Sequence, residues 1–209
     1  EAYAIVGVPA EAKEDFEERF LEFGQELMEE FKHTEPRMRF TVNDVEEKVT
    51  EVMSNDDMCA LLITIVGLPN GVLAMSFAVP GLVETSSNLA SVKFNTEEGK
   101  VTITTSQRSS VESAKLYAAQ TIESVFFLAG FDVEHSDGYP GWSPNPDSKL
   151  LATTVECYRN LFATEPKVRA IHAGLECGLF LEKYPHLEMV SFGPTLRGVH
   201  SPDERLEIA

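Results

Sequence analysis

Cysteine is scarce and scattered. Cys59, Cys157 and Cys177 stand alone, with no CxxC spacing anywhere in the 209 residues. That excludes a disulfide framework and a zinc ribbon. It points to a reducing compartment in which the thiols act as small buried hydrophobes. No HExxH occurs either, so the helix-borne zinc site of many metalloproteases is absent. Basic residues are few: 17 Lys and Arg against 34 Asp and Glu, a formal charge of −17. Neutralising phosphates takes clustered Lys and Arg, so neither nucleic acid nor an anionic membrane is expected as a partner. No apolar run is long enough to cross a bilayer, and no secretory signal is visible, which favours a cytoplasmic location. The chain opens on Glu1-Ala2-Tyr3-Ala4-Ile5-Val6, without methionine and already in an apolar stretch, and is expected to be cut from something longer.

What is present is enough for a core: 43% of residues are hydrophobic and 24% charged. Residues 2–8 read as a strand stopped by Pro9. Residues 10–32 read as an amphipathic helix with Phe16, Phe20, Phe23, Leu27 and Phe31 on one face. Residues 37–43 alternate like a strand. Residues 54–66 begin with a capping Ser-Asn-Asp-Asp run and read as a short helix. The Gly and Pro breaks of residues 67–81 read as loop. Residues 82–94 and 100–107 read as a hairpin whose turn places Gly99 at a positive φ. Residues 110–129 read as a helix burying Ala114, Ala118, Ile122, Val125 and Ala129, with Gly130 as its cap and a further strand from Phe131. Antiparallel strands with helices on one face fit an α+β sandwich.

A composition break follows at 137–146, DGYPGWSPNP, which suits a boundary or crossover. Beyond it, residues 148–163 read as a helix, 167–172 and 188–192 as short strands, and 172–178 as a Gly-flanked turn. Some 65 residues with so few strands bury too little to stand alone. The chain therefore reads as one nearly whole small domain plus a piece of another.

Several residues carry candidate chemistry. His200, in RGVHSPDE, has the chemistry of a metal ligand or an acid–base group, but one imidazole cannot hold a metal alone. The bland alternative is a surface or capping histidine. Glu176 lies between Gly174 and Gly178 in HAGLECG, after a strand, where it could orient a substrate amine or satisfy turn amides. Gly174 would let the backbone approach a substrate. Arg108, among hydroxyls in SQRSS, could clamp a carboxylate bidentately or make a surface ion pair. Asn88 is polar within a strand, which suits an edge or a binding face.

Residues 138–146 (GYPGWSPNP), 171–180 (IHAGLECGLF) and 189–206 (MVSFGPTLRGVHSPDERL) together resemble the C-terminal half of the aminoacyl-histidine dipeptidases, and GLVETSSNLASV at 81–92 is similar to their lid strand. These are cytosolic metallopeptidases of the carnosinase and peptidase T superfamily. The resemblance implies an α+β lid domain over residues 1–140, an antiparallel sheet with helices on one face, joined over 141–209 to a segment of an α/β zinc-exopeptidase catalytic domain. It implies hydrolysis of dipeptides, especially Xaa-His, at two zinc ions, with manganese or cobalt as alternatives. His200 matches the last metal ligand, Arg108 the lid arginine that holds the substrate carboxylate, and Gly174, with Glu176 beside it, the substrate-lining glycine. Asn88 joins this substrate-binding set. The other ligands and the general-base glutamate belong to an N-terminal catalytic segment missing from these residues, so no catalytic residue is assigned and the chain alone is expected to be inactive. A homodimer is implied, and a purely non-catalytic lid or dimerisation module is the alternative.

Overall fold

In a computed structural model the described residues are 2–46, 49, 51–77, 79–142, 145, 147–169, 176–199 and 201–208, with the side chain of Glu176 excepted. Contacts divide the chain into two compact units, Glu1–Cys59 and Ala60–Ala209.

In the first unit, a 3-10 turn at Ala10–Ala12 leads into α1, Lys13–Glu30. The apolar face read from the sequence is present but shifted. Gly24 is its buried centre, while Phe23 is 54% exposed. A Cβ at Gly24 would lie 2.7 Å from Cγ of Phe40, so the absent side chain is what seats that ring. Phe40 also meets Phe20 edge-on at 5.9 Å, and Asp44 accepts a hydrogen bond from Lys13 Nζ at 2.6 Å. Residues 37–43 thus run back along α1. Met38, Phe40 and Val42 are half-buried in alternation, as their period of two requires, but no strand forms. Residues 2–8 form none either. A strand exists only with a ladder partner, and the described part of this unit offers none.

The second unit is built on a three-stranded antiparallel sheet in the order β1-β2-β3: Gly71–Met75, Val83–Asn95 and Lys100–Ser109. The β2–β3 hairpin matches the sequence reading, including Gly99 at φ +61°. Strand β1 corrects the expectation of loop throughout 67–81. Gly71 enters it at φ +96°, and Asn70 Oδ1 accepts from the Leu89 N–H at 2.8 Å, fastening the strand's start to β2. A bulge at Ala90 lets the inward face of β2 pass from Thr85, Ser87 and Leu89 to Val92.

Helix α3, Glu112–Leu128, packs across β2 and β3. It buries Ala118, Ile122 and Phe126, one turn apart, and Leu68, Leu89, Ile103 and Val133 close around them. Its end is a Schellman cap. Gly130 at φ +80° donates to Phe127 O, Phe131 donates to Phe126 O, and the two phenylalanine rings meet at 5.8 Å. That cap is why Phe131–Glu134 is not the strand its composition suggested.

Helix α2, Asn55–Gly67, is capped by Ser54, whose Oγ accepts from the Asp57 N–H at 3.1 Å. Helix α4, Lys149–Phe162, is capped by Ser148, and Glu188 Oε2 accepts from the Leu150 N–H at 2.9 Å. The 188–192 segment therefore starts as a helix cap; none of it is strand. Neither is 167–169, the described part of the other expected strand. Helix α5 spans Glu176–Lys183, and a two-stranded pair, β4 (Leu196–Arg197) and β5 (Arg205–Leu206), closes the chain. Cys59 and Cys157 are exposed, contrary to the expectation that all three thiols are buried.

Candidate functional site

Paired positions on an antiparallel ladder share a face. Ser86 pairs with Arg108 and Asn88 with Ser106, so Arg108 and Asn88 stand diagonally on one face, opposite α3. Sheet geometry puts such diagonal neighbours about 7–8 Å apart. Both are exposed. β2 is the central strand, so Asn88 lies on an open sheet face and not at an edge. No carboxylate among the described residues lies within ion-pair distance of Arg108. Its guanidinium keeps its donors for something else.

Beneath this face the sheet is polar where Arg108 sits. Thr85 and Ser87 are each 3% exposed, Thr85 Oγ1 meets Ser109 Oγ at 2.9 Å, and Gln107 Nε2 donates to Ser87 Oγ at 3.4 Å. These two cross-strand pairs bracket the Ser86–Arg108 pair. A slip of one residue would bury the guanidinium, and these two side-chain pairs oppose that slip. The sequence reading missed them. Their signal was the density of hydroxyls in VETSS and SQRSS.

The RGVHSPDE segment is the loop of the β4–β5 pair. Arg197 Nη2 donates to Glu207 at 2.8 Å, and the Glu207 N–H donates to Thr195 O at 2.9 Å, closing its base. Gly198 turns at φ +62°, and a Cβ there would meet Asp203 O at 3.0 Å. Ser201 organises the tip: its hydroxyl donates to Gly198 O at 2.7 Å and accepts from the Asp203 N–H at 3.2 Å. His200 itself lies outside the described residues, as does Gly174, but the flanks of His200 are tied on both sides.

Glu176 is the first residue of α5 and not part of a turn, a correction to the expectation. A helix start suits it, since a carboxylate is favoured at the positive end of the helix dipole. Gly178, two residues on, is buried, and a Cβ there would lie 2.6 Å from Pro140 O. Gly141 is as tight: its Cβ would lie 2.7 Å from Ser110 O. The Gly141 N–H donates to Glu112 Oε2 at 3.2 Å, and Lys115, 2.8 Å from Glu112, donates to Tyr139 O at 2.9 Å. The hydrogen bond from Lys115 holds the Glu112 carboxyl below the usual carboxylate range, against a smaller opposing effect of burial, and the Gly141 N–H adds to the lowering.

No family model matches the chain. The cytosol non-specific dipeptidase of Escherichia coli (strain K12) is 34% identical over 209 residues, all of this chain and 42% of that relative. The crystal structure of aminoacylhistidine dipeptidase from Vibrio alginolyticus superposes with a TM-score of 0.80 at 37% identity, over 95% of this chain and 40% of that one. The chain is a relative of the aminoacyl-histidine dipeptidases. It spans less than half the length of the dipeptidases it matches. The metal implied by resemblance to this family does not fit the described residues by themselves: no three His, Cys, Asp or Glu side chains among them come together. Nor, among them, is any helix long and apolar enough to cross a membrane.

Proposed function

We propose that this chain supplies the later lid, residues 1–140, and the closing catalytic segment, 141–209, of a cytoplasmic metal-dependent dipeptidase acting on Xaa-His dipeptides. The observation that carries the reading is Arg108: a guanidinium in exposed position on the face it shares with Asn88, without an ion-pair partner among the described residues, its register supported by the Thr85–Ser109 and Gln107–Ser87 side-chain pairs on the opposite face. Such a group suits the terminal carboxylate of a dipeptide, bound bidentately through two N–H donors. Fixing that carboxylate orients the peptide bond for attack. Asn88 offers an amide to the same ligand. Glu176 opens α5, and the resemblance assigns Glu176 and Gly174 as carboxylate and backbone contacts for the rest of the substrate.

His200 is the residue this chain offers to a metal; its described neighbours are tied by the Arg197–Glu207 pair and by the bond from Ser201 to Gly198 O. Zinc, or manganese or cobalt in its place, would make water a nucleophile near neutral pH. A single imidazole does not retain it, and no group of three candidate ligands forms among the described residues; the resemblance assigns the remaining ligands and the general base to a segment outside these residues. The test pairs two assays. The 209-residue chain with zinc and a histidine dipeptide is expected to show no turnover, and the complete protein is expected to hydrolyse the dipeptide. Turnover by the short chain would contradict the account of the ligands; a silent complete protein would contradict the enzyme reading.

A non-catalytic role in a homodimer is the second reading. It is favoured by one observation: β1 and β3 are both edge strands, and β1 carries exposed Val72, Leu73 and Met75.

A further inference from the structure

Three segments of the Ala60–Ala209 unit meet backbone against backbone. The end of β3, immediately after Arg108, presents Ser109 O and Ser110 O to Gly141, whose Cβ would lie 2.9 and 2.7 Å from them. The next carbonyl, Pro140 O, faces Gly178 of α5 at 2.6 Å from a built Cβ. Every atom within 3 Å of the two built Cβ positions is backbone, so none can rotate away; the Pro140 ring adds an ordinary contact, its Cγ 3.5 Å from the Cβ built on Gly178. The turn Tyr139–Gly141 is therefore a layer one backbone thick between α5 and the Arg108 end of β3. Packing alone does not hold such a thin layer. The bonds from Gly141 N–H to Glu112 and from Lys115 to Tyr139 O fasten both its ends to the first turn of α3.

We propose that this turn is a spacer that sets α5 against the Arg108 end of β3, and that Glu112 is the positioning residue that holds it in place. The proposal rests on reading Arg108 as the substrate clamp, for it gives the turn a purpose: the distance between a carboxylate-binding guanidinium and the helix that begins at Glu176. Gly178 then serves as a contact surface inside a helix and not as a flexible joint.

Amide hydrogen exchange on the labelled 209-residue chain tests the spacer without catalysis. In Glu112→Ala the Gly141 amide and the α5 amides of Phe180 and Leu181 are expected to exchange about tenfold faster, the ratio for one lost hydrogen bond. Ile103, in the β2–β3 ladder, is expected to keep its rate. Glu112→Gln retains the acceptor and is expected to restore Gly141. If Glu112→Ala does not fold, Lys115→Met removes the bond to Tyr139 O and the ion pair with Glu112 while leaving the Glu112 acceptor for the Gly141 N–H, and is expected to quicken the same α5 amides. Unchanged α5 exchange in the variants that fold, or a Gln variant no better than Ala, would overturn the proposal. A further measurement separates it from the clamp: in the complete protein, Glu112→Ala is expected to raise KM for a dipeptide with little change in kcat. If the α5 amides respond but the wild-type protein binds a dipeptide and its C-terminal amide equally, the clamp reading fails and the spacer stands.

Discussion

At the scale of single residues, Arg108 and Gly198 carry the sharpest expectations. A charge-assisted bond to a carboxylate is worth about 1.5–3 kcal/mol, so Arg108→Ala in the complete protein is expected to lower kcat/KM for a dipeptide by roughly 10–150-fold. Arg108→Lys should recover only part of it, because an ammonium cannot bind both oxygens through a planar fork. Steady-state kinetics on a dipeptide and on its amide check this: the loss should be confined to the free carboxylate. Gly198 turns at φ +62° with Asp203 O 3.0 Å from any Cβ. The left-handed conformation costs an L-residue about 1–2 kcal/mol. Gly198→Ala is therefore expected to loosen the connection between β4 and β5, seen as faster exchange of the Arg197 and Arg205 amides while Ile103 is unchanged. The reading of these residues from sequence was uneven. Arg108 was legible as a candidate because arginine among hydroxyls is unusual, whereas Ser109, Gly141 and Gly178 act through backbone proximity that no spacing reveals.

At the scale of elements, the helices were the most legible part. The sequence reading placed α1, α2, α3 and α4 within a few residues, because a period near 3.6 and a capping side chain are local signals. The short strands failed for a physical reason. Alternation states which side chains face inward, but a strand exists only if another chain segment completes its hydrogen bonds. The 37–43 segment keeps its alternation and has no strand partner among the described residues; β1 lacks the pattern and has one. The core under the sheet is small, so its members matter individually. Ile122, 3% exposed, is expected to cost about 2–5 kcal/mol when changed to Ala. Phe127 on the opposite side of α3, 78% exposed, should move stability by no more than about 0.5 kcal/mol. Denaturant unfolding of the two variants decides. Helix α4 adds a pH dependence. The Leu150 N–H holds the Glu188 carboxyl below its usual range, with smaller help from Ser148, against desolvation. A depressed folded value means that the stabilisation is present above the unfolded pKa and lost as pH falls through the folded one. The first turn of α4 is expected to be protected at neutral pH and to loosen on acidification; Glu188→Ala should show the loosened exchange at neutral pH already.

At the scale of the whole molecule, little of the apolar content is withdrawn from solvent: among the described residues five hydrophobic side chains are buried, while Phe77, Phe192, Leu128 and Val66 are each more than 80% exposed. Apolar surface on this scale favours association. The 209-residue chain is expected to bind a hydrophobic dye and to associate as its concentration rises in sedimentation, and a dye-silent monomer at every concentration would contradict this. The same surface suits the proposed homodimer and the proposed remainder of the catalytic domain.

Local physics settled in the sequence itself which segments become helices, where the β2–β3 hairpin turns and that α3 ends at Gly130, since each rests on neighbours a few residues apart. The tight run of residues in HAGLECG and GPTLRGVHSPDE was likewise enough to point to the dipeptidases. Only the tertiary structure decided that Arg108 and Asn88 share an open face, that α5 begins at Glu176, and that Gly141 packs on the backbone of Ser109 and Ser110 and Gly178 on that of Pro140. Those facts depend on which distant segments touch, and contact across dozens of residues leaves no period to read.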